Sequence, residues 1–291
     1  MASYSVKARI SASGRQRLIS LAVAVLILAS CGGKGEDDLF ASAKAALNKR
    51  EYAAAVVDLK TILQAHPTRA EARYLLGVAL LEQGQPLAAL TELKRAEELA
   101  FDENRLIPKL ARAMLANGKF KEVVDTYAGT QLAPGPAMAE LGVSLAVAYG
   151  MLRKRSEAEA ALEAALAAVP DYGPALLTKA RFVAAQGDID GALQLVDRAL
   201  SAGAPSGESL MLKGSLLRLA KKDEAGAIKA YLLASQDPQQ SLAARAALVN
   251  AYLRQGNVVE AKSQLAEMRK SHPGSPQLVL VEAVVASAEK D

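Results

Sequence analysis

The stretch Ala70-Glu-Ala-Arg-Tyr-Leu-Leu-Gly77 decides the fold, because its apolar residues recur at helical spacing up to the small residue that ends it. A turn signal follows at Gly84, a second small residue at Ala89 and a larger apolar residue at Leu93. Small residues suit a close crossing of two helices, since a large side chain would force the backbones apart, and glycine suits the tight turn between them. The stretch therefore predicts a helical hairpin.

The same pattern recurs along the chain. Residues in the position of Gly77 are spaced 34 or 35 apart: Ala43, Gly77, Ala111, Ala146, Ala180, Gly214, Val249 and Ala283. Turn glycines follow in most units, at Gly84, Gly118, Gly187 and Gly256. The second small residue recurs at Ala55, Ala89, Ala158, Ala192 and Ala261, with Val123 and Gly226 as variants. Prolines, which cannot continue a helix interior, stop most second helices, at Pro67, Pro170, Pro205, Pro238 and Pro273.

This 34-residue pattern resembles the tetratricopeptide repeat (TPR) family. The resemblance implies an all-α fold, a right-handed TPR superhelix of about seven helical hairpins plus a final helix. We predict a signal peptide at 1–30, a short tether at 31–35 and a TPR solenoid at 36–291. Its units run about 36–69, 70–103, 104–138, 139–172, 173–206, 207–241 and 242–275, with a half-unit at 276–291.

The third unit departs from the pattern in two places. Pro108 is expected in the first turn of its first helix, where the missing N–H has no intrahelical partner. The segment 128–136, Ala-Gly-Thr-Gln-Leu-Ala-Pro-Gly-Pro, loosens the end of the unit and is the best candidate for a hinge.

The N-terminal segment has the composition of a secretory signal peptide. Residues 1–17 carry four basic residues and no acid, and 18–29 are apolar except for Ser20. The run is too short for a membrane-spanning helix, which needs about 20 apolar residues.

Leu28-Ala29-Ser30-Cys31 resembles the lipobox of bacterial lipoproteins, and Cys31 is the only cysteine in the chain. The resemblance implies lipid transfer to the Cys31 sulfur and cleavage before it. More than one acyl chain gives stable anchoring, whereas a single chain binds membranes only marginally. Gly32 at the next position resembles the outer-membrane-sorted type, so the periplasmic face of the outer membrane is favoured over the inner membrane.

Composition excludes several classes of function. The chain carries 35 basic and 31 acidic residues, but the predicted signal peptide holds four of the basic ones and no acid, so residues 31–291 are neutral by formal charge. This removes the electrostatic argument for nucleic-acid binding. Abundant Ala and Leu with only 4% aromatic residues suit packed helices and fit β-sheet badly.

Motifs of known catalytic chemistry are absent from the sequence. There is no Gly-rich phosphate loop, His-Glu-x-x-His, Gly-x-Ser-x-Gly or pair of cysteines. His66 and His272 occupy the same repeat position six repeats apart and are not expected to share a metal. We therefore predict a non-enzymatic protein with no cofactor and no metal.

A binding surface remains. In the TPR family the first helix of each hairpin lines a concave groove. Carried onto this chain, the family's groove positions give a candidate set: Phe40, Lys44, Tyr74, Val78, Arg112, Arg181, Met211, Arg218, Asn250 and Arg254. Arg and Tyr are enriched at interface hot spots. The Lys/Asn clamp of some TPR domains is not reproduced, which disfavours a reader of chaperone tails.

Two further resemblances concern function. The lipobox, the first unit and Ile107-Pro-Lys-Leu-Ala-Arg-Ala-Met-Leu115 resemble the TPR-repeat lipoproteins of PEP-CTERM/exosortase and exopolysaccharide systems, whose members are typically longer. This implies a membrane-anchored scaffold for other envelope proteins, in exopolysaccharide production or export or in PEP-CTERM protein sorting. The alternative is a pilotin-like lipoprotein for type IV pilus or secretin assembly.

The last helix, expected at 276–290, is apolar on more than one side. Terminal units of a solenoid normally present a polar outer face. Either this helix is an edge for self-association or partner contact, or the chain is a shortened copy of a longer array.

Overall fold

The computed structural model describes residues 35–203 and 206–288. These residues form fifteen α-helices and contain no β-strand. The prediction of an all-α fold is therefore confirmed. The signal peptide, Cys31, residues 31–34 of the tether and Pro205 lie outside the described residues, so the predictions made for them stay predictions.

The chain divides into two compact units, one ending at Phe101 and one beginning at Asp102. The first contains α1 (Glu36–Asn48), α2 (Tyr52–Ala65), α3 (Ala70–Glu82) and α4 (Pro86–Glu98). Each of these helices packs against the next one, which makes two successive hairpins.

The second unit holds the other eleven described helices. They are α5 (Glu103–Ala116), α6 (Phe120–Tyr127), α7 (Pro136–Met151), α8 (Arg155–Ala168), α9 (Gly173–Ala185), α10 (Ile189–Ser201), α11 (Ser206–Leu219), α12 (Glu224–Ala234), α13 (Ser241–Arg254), α14 (Val258–Ser271) and α15 (Pro276–Ala288). Consecutive helices pack together, and α5 also contacts α7 while α7 contacts α9. Hairpins therefore stack on their neighbours within this unit.

The small residues stand where two helices of a hairpin cross. A Cβ atom added to Gly77 would lie 2.6 Å from Cγ of Leu93, and one added to Gly214 would lie 2.5 Å from Cε1 of Tyr231. The alanines at this position in α1, α5, α7 and α9 are fully buried. Ala283 is exposed, because no second helix among the described residues covers that side of α15.

A residue with left-handed backbone ends each first helix of the seven hairpins. Four are the predicted turn glycines, and the other three are Arg50, Arg153 and Lys222, with φ of 60°, 60° and 55°. A residue with a side chain adopts this conformation at a cost of roughly 1–2 kcal/mol. The turn geometry is thus kept even where the sequence lacks the glycine that indicates it.

The second small residue of the sixth hairpin is Ala227 and not Gly226. Ala227 is fully buried, whereas Gly226 is only half-buried and donates its N–H to the Asp223 carboxylate at 2.8 Å. The turn before α12 is one residue longer than in the other hairpins, which shifts the register. The larger apolar residue four positions later is therefore Tyr231, which is 2% exposed.

The expected placement of Pro108 is also corrected. The Asp102 carboxylate accepts the N–H of Arg105 at 2.8 Å and caps the helix, so α5 begins at Glu103. Pro108 is then the sixth residue and lies inside the helix rather than in its first turn. The helix continues past it, although that position loses a backbone hydrogen bond.

Helix α6 is short. It has 8 residues, whereas the corresponding helices α2 and α8 have 14 each. The non-helical segment 128–135 follows, in which Leu132 is buried and the N–H of Ala133 donates to the Asn104 side chain at 2.7 Å. This segment lies within the second unit, and the division between units lies elsewhere, at Phe101–Asp102.

Helix α15 is apolar on two sides, as predicted. Leu278, Val281 and Val285 pack into a cluster with α13 and α14. Val279 and Leu280, by contrast, are 62% and 69% exposed.

Candidate functional site

The ten predicted groove residues lie on first helices. Phe40 and Lys44 are on α1, and Tyr74 and Val78 are on α3, all in the first unit. The second unit holds the rest: Arg112 on α5, Arg181 on α9, Met211 and Arg218 on α11, and Asn250 and Arg254 on α13. Of these ten, the structure places Phe40 and Lys44 in direct contact.

Two of the ten are core residues and do not line an accessible groove. Phe40 is 7% exposed and lies beneath two cations, Lys44 Nζ at 5.5 Å and the Arg69 guanidinium at 5.4 Å from the ring centre. Tyr74 is also 7% exposed, and its ring stacks on Phe101 at 4.6 Å. Large aromatic side chains gain more from burial than from solvent contact, which explains the departure from the family positions.

Lys44 and Arg181 each form an ion pair with the next hairpin. Lys44 Nζ lies 2.9 Å from Glu71 Oε1 in the first unit, and Arg181 Nη2 lies 2.7 Å from Glu208 Oε1 in the second. The two pairs are equivalent, since each joins residues 27 positions apart in the sequence. The side chains are about half exposed, and such pairs stabilise a fold by only about 0–1 kcal/mol.

Arg112 lies close to Tyr172, in a cluster that also contains Glu140 and Lys109. Lys109 Nζ donates to both Glu140 carboxylate oxygens, at 2.7 and 2.9 Å. Burial first, and then the Glu140 charge, raise the pKa of Tyr172 to about 12, while the Arg112 charge acts in the opposite direction. Tyr172 therefore stays a neutral hydrogen-bonding group at physiological pH.

The remaining groove candidates differ in how far their side chains are already engaged within the protein. Arg254 pairs with Glu224 at 2.6 Å, and the Asn250 amide donates to its own helix at Ala246. Met211 packs beside Tyr231, and Arg218 is half-buried.

The acidic partners Glu71 and Glu208 were missed by the sequence reasoning, which selected only cations and neutral residues. A signal was present, namely a cation followed 27 residues later by an acid at the start of the next first helix. Because these pairs contribute little stability, a partner can replace the carboxylates at small cost. The surface suits exchange of ion pairs with a bound protein.

A cavity lies beside the segment that follows the short α6. Its volume is about 470 Å³, within the range of ligand pockets. Segment 128–131, α7 and α8 line it, with apolar side chains from Met138, Leu141 and Leu145.

Neither a metal-binding cluster nor a membrane-spanning helix occurs among the described residues. In 35–203 and 206–288, no group of three or more His, Cys, Asp or Glu side chains is placed to hold a metal ion. His66 Nε2 instead lies 3.1 Å from Glu36, and His272 Nδ1 lies 2.9 Å from Ser271 Oγ. Among the described helices, none combines the length and apolarity that crossing a membrane requires.

Comparison with known proteins supports the fold. Residues 46–107 and 153–216 match the tetratricopeptide repeat family. No curated protein matches the chain in sequence. Together with the stacked hairpins, the family match confirms the predicted TPR fold, which is typically a non-enzymatic scaffold that binds other proteins.

Solved structures of TPR-like proteins resemble the chain at low sequence identity. The APC/C hetero-tetramer Cut9–Hcn1 is 13% identical with a TM-score of 0.56, over 80% of this chain and 48% of that one. The human IFIT1 dimer is 16% identical with a TM-score of 0.56, over 81% and 58%. Yeast Tom70 is 16% identical with a TM-score of 0.50, over 82% and 60%. The chain thus spans about half to three-fifths of these structures, and the likeness concerns the fold alone.

Proposed function

We propose that this chain is a lipid-anchored TPR scaffold that binds protein partners during assembly of a bacterial envelope. The observation that carries the proposal is the position of Leu28-Ala29-Ser30-Cys31, five residues before α1 begins at Glu36. Five extended residues span at most about 18 Å, so an anchor at Cys31 would hold the first hairpin close to the bilayer.

The proposed binding surface is the exposed part of the first helices. Arg181 and Lys44 stand there in ion pairs that a partner can exchange. Arg112 is exposed and lies close to the half-buried Tyr172. Arginine and tyrosine are both enriched at protein–protein interfaces. Exopolysaccharide production or export, or PEP-CTERM protein sorting, is the pathway that the sequence resemblance favours over pilus assembly.

Lipid attachment is tested by metabolic labelling with a fatty acid in a Gram-negative host. Wild-type protein should be labelled and shortened, whereas Cys31→Ala should accumulate as an unlabelled precursor, because the sulfur that receives the lipid is missing. Efficient labelling of the variant would contradict the anchor.

Partner binding is tested by crosslinking and affinity capture from membranes, with mass spectrometry. The double reversal Arg112→Glu with Arg181→Glu should lose partners that wild type captures, while its thermal unfolding changes little. Envelope polysaccharide or sorting proteins among the lost partners support the proposed pathway, and pilus or secretin proteins would support the pilotin alternative. Unchanged capture would place the binding surface elsewhere.

A further inference from the structure

The third hairpin differs from the other six at one position of its second helix. Three residues after the larger apolar residue, the other hairpins place an apolar residue that is helical and at most 1% exposed: Ile62, Ala96, Ala165, Ala199, Ala234 and Met268. In the third hairpin this residue is Thr130, which is half-buried and follows the end of α6 at Tyr127. The third hairpin thus lacks both the helix and the apolar side chain at this position.

This position belongs to the contact between one hairpin and the next. Ala165 shares a core cluster with Ala175 of the following first helix, and Met268 shares one with Val281 of α15. For the third hairpin the following first helix is α7, and Thr130 lines the cavity of about 470 Å³ beside it. The cavity therefore lies at a place where the other hairpins bring a second helix onto the next first helix.

The cavity has the form of a groove along two antiparallel helices. We term it the α7–α8 groove, and its walls are Met138, Leu141, Leu145 and Tyr149 from α7 and Glu157, Ala160, Ala161 and Ala164 from α8. On each helix these residues follow the three- and four-residue spacing of one face. At 1.5 Å per residue, the wall on α7 is about 17 Å long, which matches a helix of about three turns.

The apolar wall on α7 is less covered than its counterpart in the first unit. Leu145 and Tyr149 are half-buried, whereas the equivalent residues of α3, Leu76 and Leu80, are buried. Large apolar side chains gain free energy when they are removed from water. An occupant of the groove would therefore gain affinity from contact with this wall.

The groove also carries a free acid. Glu157 is exposed and forms no ion pair with any residue in 35–203 or 206–288, and no Lys or Arg from those ranges lines the groove. A carboxylate without a partner favours an occupant with a positive charge and repels a fatty acid. Thr130 and Gln131 add further polar groups, and an apolar centre with a polar rim is typical of protein interfaces.

We infer that the α7–α8 groove binds an amphipathic helix of a protein partner, with apolar residues three or four apart and a Lys or Arg that reaches Glu157. The inference rests on the proposed scaffold function for the partner being a protein. A helix is what the chain itself places at this position in the other six hairpins, and its apolar spacing matches that of the groove. Apolar contacts hold the helix, and the exposed acid sets its direction more than its affinity.

Photocrosslinking from inside the groove tests this inference with the full chain in its own cell membranes. Benzoylphenylalanine replaces Ala164, an exposed residue whose replacement protects folding, and mass spectrometry identifies the residues that it joins. The expected product contains a protein segment with apolar residues at helical spacing and a basic residue. A product with lipid, with a second copy of this chain or with a segment that lacks this pattern would overturn the inference, and so would the absence of a product.

Matched variants show whether the groove itself makes the contact. Ala160→Trp fills the groove from an exposed position and should lower the yield of product about tenfold or more, while Ser263→Trp, at the equivalent exposed position of α14, should leave it unchanged. Glu157→Gln should lower the yield about two- to fivefold, as loss of an exposed ion pair allows, and the equivalent Glu260→Gln should not. Equal yields within either pair of variants would contradict the inference.

This proposal and the scaffold function can fail separately, because Arg112 and Arg181 do not line the α7–α8 groove. Partners that are lost from the double reversal of these arginines but never crosslink to residue 164 would refute the groove and leave the scaffold function standing.

Discussion

The close crossing at Gly77 can be tested by a double-mutant cycle with Leu93. A Cβ at residue 77 would stand 2.6 Å from Leu93 Cγ, 2.8 Å from its Cδ2 and 3.3 Å from the Ala89 carbonyl oxygen. Leu93 is fully buried, so it has no free space to move into. Gly77→Val should therefore overpack the hairpin and cost about 1–3 kcal/mol or more.

Leu93→Ala alone should cost about 2–5 kcal/mol, because it leaves a cavity against Gly77. In the double variant the valine fills part of that cavity. The combined loss should be smaller than the sum of the single losses by about 1–3 kcal/mol, the range measured for residues in contact.

The assay is urea unfolding followed by far-ultraviolet circular dichroism. With an m-value of about 2 kcal/mol per molar, a loss of 2 kcal/mol lowers the midpoint by about 1 M. Gly77→Val combined with Leu162→Ala, the equivalent leucine of the fourth hairpin, is the control and should be additive within about 0.5 kcal/mol. Additive losses for Gly77 and Leu93 would refute the idea that small residues are required by the crossing.

Three other perturbations test single features. Arg153→Gly should raise the unfolding free energy by about 0.5–1 kcal/mol, since relief of the left-handed backbone exceeds the entropy that glycine adds to the unfolded chain. Gly187→Ala should lower the unfolding free energy by about 1 kcal/mol, because alanine is strained in that conformation. Equal effects of both variants in denaturant unfolding would contradict the proposed backbone strain at Arg153. Tyr172 has a folded-state pKa above its usual value of about 10, so its contribution to stability is complete below pH 10 and is lost as the pH rises towards 12. Tyr172→Phe should remove a component near pH 12 from a phenolate absorbance titration, and an unchanged titration curve would show that burial does not raise this pKa. If α15 mediates self-association, light scattering should show an oligomer that Leu280→Asp converts to a monomer, and a monomeric wild type would exclude it.

The hairpins could be predicted from sequence because their determinants are local and repeat. A small residue is required wherever two helices cross, so Gly77 and its equivalents carry the period whatever surrounds them. The extra residue before α12 could not be read in the same way, because Gly226 is as small as Ala227 and only packing shows which one is buried. A single inserted residue in a turn leaves no composition signal.

The binding surface was less predictable. Family positions place Phe40 and Tyr74 in a groove, but burial of an aromatic ring depends on neighbours from elsewhere in the chain, here Arg69, just before α3, and Phe101, between α4 and α5. The ion-pair partners of Lys44 and Arg181 lie in the next hairpin, and their contact depends on how two hairpins stack. Such information is carried by tertiary structure rather than by spacing within one helix.

The shortened α6 has a consequence for local unfolding. In an array whose stability is a sum of repeat and neighbour terms, the weakest term decides where the array opens first. Helix α6 contributes only Val123 and Tyr127 to the core, and the irregular segment 128–135 has few backbone hydrogen bonds to protect its amides. Hydrogen exchange should therefore be fastest around this segment among the hairpins, and limited proteolysis should cut there before it cuts the neighbouring helices.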